Sequence, residues 1–357
     1  MICKTLIILY AIFKVLDETI DLNKLKTYLK NELDYSFDNI EIFQFSGGHA
    51  NLTYLLQLDN KEYVLRRPPL GPIAPSSHDM LREYKVQSQI NSKFPLAPKS
   101  LYFCDDESII GSKFHIIERR NGYVIRKKMH DHIANSKENV RKISFRMIDI
   151  LADLHKVNPN QVGLGDLGKP EGFALRQLNG WEDRWKKSTE NENLKSRFDK
   201  LTSHLRLNLP QSKVVTILHN DFKLDNIMWS NIDPFDPVAV FDWDMCTRGD
   251  PLMDVGHMLN YWIDENDNEE CKSITSMPTD NILYPTRKEI IDYYSNRTGF
   301  DLKNINWYYA FGAFKLAVIL QQIYIRYLKG QTKDKRFSTF GNRVEALINR
   351  ANNVFHF

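Results

Sequence analysis

The stretch His219-Asn220-Asp221-Phe222-Lys223-Leu224-Asp225-Asn226, with Asp242 sixteen residues beyond Asn226 in Phe241-Asp242-Trp243-Asp244, decides the reading of this chain. Each segment grows out of a short apolar run of strand length, VVTILH for the first and PVAVFDW for the second. An Asp, an Asn five residues later and an Asp ending the next strand supply what phosphoryl transfer needs. Asp221 would orient or deprotonate an attacking hydroxyl, while His219 would brace the loop. Asn226 and Asp242 would give hard oxygen ligands to a Mg²⁺ bridging nucleotide phosphates. Taken singly, the HxD piece also reads as a turn and Asn226 as a cap. The complete spacing carries the chemical reading.

Working toward the N-terminus, the runs IEIFQF, TYLLQL, EYVLRR and FHIIER lie before residue 120 with GG, DN and PP turns between them, and they predict a small sheet. A helix is expected at 79–90, where Leu81, Tyr84 and Ile90 have near-helical spacing. Phe45-Ser46-Gly47-Gly48-His49-Ala50-Asn51 joins two of the strands. Gly47, Gly48 and Asn51 are assigned to a close approach to phosphate oxygens, although GG also serves as a plain hairpin turn. In Tyr63-Val64-Leu65-Arg66 the period of two puts Val64 and Arg66 on one face, an apolar contact for a base beside a cation for phosphates. Glu83, on the following helix, is the carboxylate partner expected for Arg66.

After residue 120 the pattern turns helical. In KENVRKISFRMIDILADLHKV the residues Val140, Ile143, Met147, Ile148, Leu151 and Leu154 recur every three or four positions, as on a core helix. Further helices are expected at 192–206, 252–263, 286–297, 306–328 and 336–351. Asp250 before Pro251 should cap the helix that follows, with Asp254 in its first turn, so both are read as structural. Asp244 is a candidate second metal ligand, and His155 is expected to be packed or exposed rather than catalytic. The fold class is α+β and bilobal. An extension at 1–20 precedes a small β-rich nucleotide-binding lobe at 21–119, and a larger, mainly helical lobe at 120–357 carries catalysis and substrate binding.

Composition bounds the partners. Apolar residues make up 42% of the 357 residues, enough to build a core and exclude a disordered chain. Lys+Arg 48 against Asp+Glu 45 leaves a net +3, too balanced for nucleic acid or a membrane as the main partner. Cys3, Cys104, Cys246 and Cys271 form no CxxC pair, so neither a zinc site nor a disulfide framework is expected, and a reducing, intracellular compartment, cytoplasmic by default, follows. The opening MICKTLIILYAIFKVL is apolar, but Lys4 and Lys14 bracket too few residues to span a bilayer. It is read as an extra helix or a start placed ahead of the fold, without stable membrane insertion.

The order glycine loop, strand cation, helix Glu83, HNDFKLDN and FDWD resembles the aminoglycoside phosphotransferase and choline kinase family within the protein-kinase-like fold. QFSGGHANLTYLL, EYVLRRPP, REYKVQ, IIGSKFHIIE, HNDFKLDNI and GDPLMDVGH look closer still to the hydroxyacyl-CoA kinase domains that animals fuse ahead of acyl-CoA dehydrogenase modules. The resemblance implies ATP and Mg²⁺ as cofactors, Asp221 as catalytic base, Asn226 and Asp242 on magnesium, and the segment around Glu118 at the adenine. Lys223, where protein kinases also carry lysine, would contact the γ-phosphate. Two departures stand out. Arg66 replaces the usual lysine with a larger, planar head, and Asn220 replaces the usual glycine.

Within that family, cationic substrates need acidic pockets. Here basic residues cluster at Arg119, Arg120, Arg126, Lys127 and Lys128, at Arg184, Lys186 and Lys187, and at Lys315, Arg326 and Lys329. They read either as solvated faces or as contacts for an anionic small molecule such as a CoA thioester. The run Trp307-Tyr308-Tyr309 with Phe311 and Phe314 would flank its acyl or pantetheine arm, or else pack the core. A kinase of an amino alcohol, sugar or aminoglycoside, and a nucleotide-binding pseudokinase, are the alternatives.

Overall fold

The computed structural model describes residues 13–14, 20–33, 35–45, 51–69, 79–265, 267, 269–275, 277–278, 283–332 and 334–355. The chain divides into two compact units, Met1–Asn121 with Ala239–Asp244, and Gly122–Val238 with Met245–Phe357.

The first unit holds β1 (Phe13–Lys14), α1 (Leu22–Glu32), β2 (Ile40–Phe45), β3 (Leu52–Leu58), β4 (Lys61–Arg67), α2 (Met80–Ile90), β5 (Ser100–Cys104) and β6 (Phe114–Glu118). The strands form one sheet in the order β1-β2-β3-β4-β6-β5. Phe13 and Lys14 form a sheet edge paired to Phe45 and Gln44, whereas residues 1–12 and 15–19 of the stretch read as an extra helix or an early start lie outside the described residues. Alternation along β4 buries Leu65 and Arg67 and leaves Val64 and Arg66 half-buried on the other face. Leu65 packs with Tyr54, Leu56, Phe114 and Ile116 against Leu25 and Leu29 of α1. Each such leucine contributes about 1.5–3 kcal/mol on burial. The Asp79 side chain caps α2 by accepting from the Arg82 N–H. The buried face of α2 carries Glu83 beside Met80, Val86 and Ile90. A carboxylate in that position requires a partner.

The second unit holds β7 (Tyr123–Val124), α3 (Lys137–His155), α4 (Phe173–Ser188), α5 (Glu192–Leu207), β8 (Thr216–Leu218), β9 (Ile227–Trp229), β10 (Pro237–Val240, where the chain passes into the first unit), β11 (Thr247–Gly249), α6 (Leu252–Leu259), α7 (Arg287–Thr298), α8 (Ile305–Leu328) and α9 (Phe340–Asn353). Helix α4 had no counterpart among the expected helices. Its buried stripe, Leu178, Trp181, Trp185 and Ser188, is narrow, and Gly180 interrupts a charged sequence. Helix α6 ends at Leu259 rather than 263, where the Asn260 side chain turns back to the carbonyls of Gly256 and Tyr309. Two glycines set a close crossing of α6 and α8. A Cβ on Gly256 would lie 2.3 Å from the Tyr308 backbone, and one on Gly312 would lie 2.7 Å from the Gly256 carbonyl oxygen. Trp307, Tyr308, Phe311 and Phe314 are all buried. Phe314 stacks on Phe198, which stacks on Trp185. These four aromatics therefore pack the core. Among the described residues no helix is long and apolar enough to cross a membrane.

Candidate active site

In the second unit, β8 pairs antiparallel with β11 in the register Leu218 to Thr247, Ile217 to Arg248 and Thr216 to Gly249. The chain leaves β8 into the His219–Asn226 loop and leaves β11 into α6, so the start of α6 lies under that loop. There Asp254, 2% exposed, accepts from the backbone N–H groups of His219 and Asn220, each at 2.7 Å, and pairs with His155 Nε2 at 3.1 Å. The other ring nitrogen of His155 meets the Tyr294 hydroxyl at 2.6 Å. Burial works against the Asp254 carboxylate, but the His155 hydrogen bond and the donors from His219 outweigh it and hold its pKa below the ordinary range. Asp254 does sit in the first turn of α6, yet its task is to tie down this loop, which the capping pattern did not reveal. Asp250 accepts from the Leu252 N–H but stands one residue ahead of the N-cap, which is Pro251 where Asp250 was expected, and His155 is packed.

Asn220 has φ +64°, in the left-handed region, where asparagine is tolerated far better than most residues. Its side chain donates to the Met245 carbonyl at 2.9 Å, and its own carbonyl accepts from the buried Lys315 Nζ at 3.1 Å. The departure from glycine thus keeps the backbone turn and adds a side-chain tie. His219 is fully buried, and its Nδ1 accepts from the Asp221 N–H at 3.3 Å. It packs behind the loop.

Asp221 follows. Asn226 Nδ2 donates to its carbonyl at 2.8 Å and to its Oδ2 at 3.2 Å. Lys223 Nζ lies 3.0 Å from the same Oδ2 and 4.0 Å from Asp225. Burial opposes the Lys223 ammonium, but the charge of Asp221 prevails and holds its pKa above the usual lysine value. Asp225 is pushed up to about 6, mainly by burial. His257 Nε2 is 4.0 Å from Asp221 Oδ1 and 3.4 Å from the Tyr261 hydroxyl. Burial, then the charges of Lys315 and Lys223, keep this imidazole neutral. Sequence reading passed over His257 and Tyr261, because an apolar helix holding one His carries no signal of its own.

In the first unit, Arg66 Nε lies 2.8 Å from Glu83 Oε1, and its Nη2 lies 3.6 Å from Asp242 Oδ1. Asp242 takes φ +68°, a second left-handed residue. Burial, the largest influence, pushes Glu83 above the usual carboxylate range despite Arg66. Arg66 itself stays above its ordinary value, because Glu83, Asp242 and Asp244 outweigh desolvation. Val64 shares the Arg66 face. Glu118 ends β6, with its carboxylate taken by the Lys99 N–H and Arg120. Asn51 is buried. Gly47 and Gly48 lie outside the described residues. Much of the basic clustering is neutralised locally, Arg119 by Glu62, Arg120 by Glu118, Lys128 by Asp131 and Lys186 by Glu182. Lys223, paired with Asp221, and Lys315, which donates to the Asn220 carbonyl, lie beside the Asp221 loop.

The phosphotransferase enzyme family (APH) matches residues 41–274. The chain is 31% identical over 340 residues to the acyl-CoA dehydrogenase family member 11 of Rattus norvegicus, covering 92% of this chain and 42% of that protein. It thus spans about two fifths of the length of the curated relatives it matches. A solved Ralstonia eutropha protein classed with the aminoglycoside phosphotransferases is similar at TM-score 0.80 and 27% identity, over 94% of this chain and 98% of that one. The ethanolamine kinase of Plasmodium vivax is similar in fold, with TM-score 0.58 and 16% identity over 98% of this chain and 92% of that one. The fold is the α+β, protein-kinase-like one.

Proposed function

This chain belongs to the phosphotransferase enzyme family, and we propose that it transfers the γ-phosphoryl group of ATP, with Mg²⁺, to the hydroxyl of a hydroxyacyl-CoA. The observation that carries this reading is the Asp221 carboxylate, held by the Asn226 amide and the Lys223 ammonium on a loop anchored to Asp254. Asp221 would take the hydroxyl proton as the oxygen bonds to phosphorus, and Lys223 would hold the γ-phosphoryl oxygens while ADP departs. Gly47, Gly48, Asn51, Val64 and the segment at Glu118 would cradle the nucleotide, and Arg66, set by Glu83, would meet its phosphates.

Each of the two residues proposed to hold magnesium has an oxygen to offer. Asn226 commits Nδ2 to Asp221, which leaves its Oδ1 to ligate, and Asp242 is a carboxylate with 42% of its side chain exposed. Magnesium is commonly bound through one or two protein oxygens together with substrate phosphates and water. Bound there it would offset charge on the phosphate oxygens.

Two observations support the acyl-CoA acceptor. The relatives of this chain are named for acyl-CoA dehydrogenases, and two cations stand at the loop, Lys223 paired with Asp221 and Lys315 on the Asn220 carbonyl, with Asp225 beside them. Such surroundings favour an anionic molecule over a cationic alcohol. ADP release should therefore appear with 3- or 4-hydroxyacyl-CoAs and be absent with choline, ethanolamine and an aminoglycoside. Turnover of a cationic alcohol without CoA would move the chain to the amino-alcohol reading, and ATP binding with no turnover across the panel would favour a pseudokinase.

Lys223→Met is expected to lower kcat by about 10-fold to 100-fold with nucleotide affinity little changed, because the ammonium acts on the group in transfer. A steady-state comparison at saturating ATP checks this, and an unaltered kcat would remove Lys223 from the role.

A further inference from the structure

Behind Arg66 and Glu83 lies a buried histidine that the transfer reading does not use. His115 on β6 stands directly opposite Arg66 on β4, so the two side chains are neighbours on one face of the sheet. His115 is 0% exposed, and Glu83, which reaches the same spot from α2, is 1% exposed. The His115 Nε2 atom lies 3.8 Å from Glu83 Oε1, the oxygen that Arg66 Nε approaches at 2.8 Å. It is fully buried and has no hydrogen-bond partner among the described residues.

The other nitrogen fixes which way the ring is protonated. A register shift between Ser100 and Tyr102 bends β5 against β6, and such an irregularity re-aims a side chain. The Ser100 hydroxyl then lies 2.8 Å from His115 Nδ1 and 3.4 Å from the Ile116 carbonyl. A hydroxyl has one proton to give. Given along the shorter contact, it makes Nδ1 the acceptor and puts the ring proton on Nε2, facing the Glu83 carboxylate. Burial and the adjacent Arg66 charge keep this ring neutral, so it acts as a dipole and not as a second cation competing with Arg66.

We propose that His115 is a positioning residue for nucleotide binding: aligned by Ser100, its Nε2–H steadies Glu83 so that Glu83 holds the Arg66 head toward the phosphates. The inference rests on the nucleotide role proposed for Arg66 and does not depend on the acceptor. It also accounts for the arginine. A planar fork is useful only where its carboxylate partner is fixed in orientation, and Arg66 meets both Glu83 oxygens, Nε to Oε1 at 2.8 Å and Nη2 to Oε2 at 3.4 Å.

The test is titration of Mg-AMP-PNP into the whole chain by calorimetry, beside kcat and KM for ATP. His115→Leu should weaken binding and raise KM about threefold to tenfold, with kcat at saturating ATP within about twofold. His115→Gln, which returns an N–H near the Nε2 position, should recover most of the loss. Ser100→Ala should move binding in the same direction by less. In a Glu83→Gln background His115→Leu should add nothing. Wild-type affinity in a folded His115→Leu protein, a fall in thermal stability with KM unmoved, or full additivity with Glu83→Gln would overturn the proposal. Should His115→Leu fail to fold, His115→Gln and Ser100→Ala decide in the same way. A wild-type chain that binds no nucleotide would instead overturn the function proposed above.

Discussion

Asp221→Ala is expected to lower kcat by about 10²-fold to 10⁴-fold while leaving nucleotide affinity near the wild-type value. Rate and affinity part because of where the carboxylate sits. Its Oδ2 is already engaged by Asn226 and Lys223, so its orientation is set before any acceptor arrives, and under the proposed role its removal would take away the proton acceptor and the group that aligns the hydroxyl. Nucleotide binding loses nothing by the change, since an anion beside anionic phosphates gives them no attraction. Asp221→Asn separates the two contributions. The amide keeps the shape and can still accept one hydrogen bond, but it cannot take a proton, so a loss as deep as in Asp221→Ala assigns the effect to base catalysis and a shallower one assigns the remainder to alignment. ADP release at saturating ATP, beside binding of a fluorescent nucleotide, measures both quantities. A kcat within about tenfold of wild type in Asp221→Ala would take the residue out of the chemistry.

The loop itself was legible because the chemistry restricts both residue type and spacing. An Asp and an Asn five residues apart are brought into contact by a single turn, as the Asn226 amide on Asp221 illustrates. The pairing of Arg66 with Glu83 was legible for a related reason. Period two fixed the face of β4, and the next helix offered a carboxylate on its buried side. What supports these groups was not legible. Asp254 reads from sequence as a first-turn acid, and nothing in GDPLMD states that β11 pairs with β8 and so lays α6 beneath the loop. His115 and His257 are single histidines in apolar runs, a pattern shared with any packed histidine. The run at 307–314 was open to two readings. Aromatic residues have the same signature whether they face a ligand or Phe198 and Trp185, and only the packing of α8 tells them apart. The basic clusters behaved likewise, since Glu62, Glu118, Asp131 and Glu182 neutralise cations that sequence reading counted as available.

The second large effect is expected at Asp254, through structure first and rate second. Its two oxygens take the His219 N–H, the Asn220 N–H and His155 Nε2. Asp254→Ala would leave two inward-facing backbone donors without acceptors and His155 without its partner. Orphaned donors cost about 1–3 kcal/mol each, and breaking a buried charged arrangement costs about 3–5 kcal/mol in all. The apparent Tm should fall by about 5–10 °C. Asp254→Asn should do nearly as badly, because an amide offers one acceptor oxygen where two donors converge and turns its NH₂ against the second. In the protein that remains folded, a loop released by about 1 Å should lose about 10²-fold in kcat. The pH dependence follows from the lowered pKa of Asp254. A carboxyl whose folded pKa lies below its unfolded value of about 3.9 contributes its full stability above that value and loses it as the pH falls through the folded pKa. Thermal unfolding of the wild type and Asp254→Asn should therefore differ most at neutral pH and converge in acid. A gap that held constant into acid, or an Asn variant as stable and as active as wild type, would show that the loop is anchored by something other than this carboxylate.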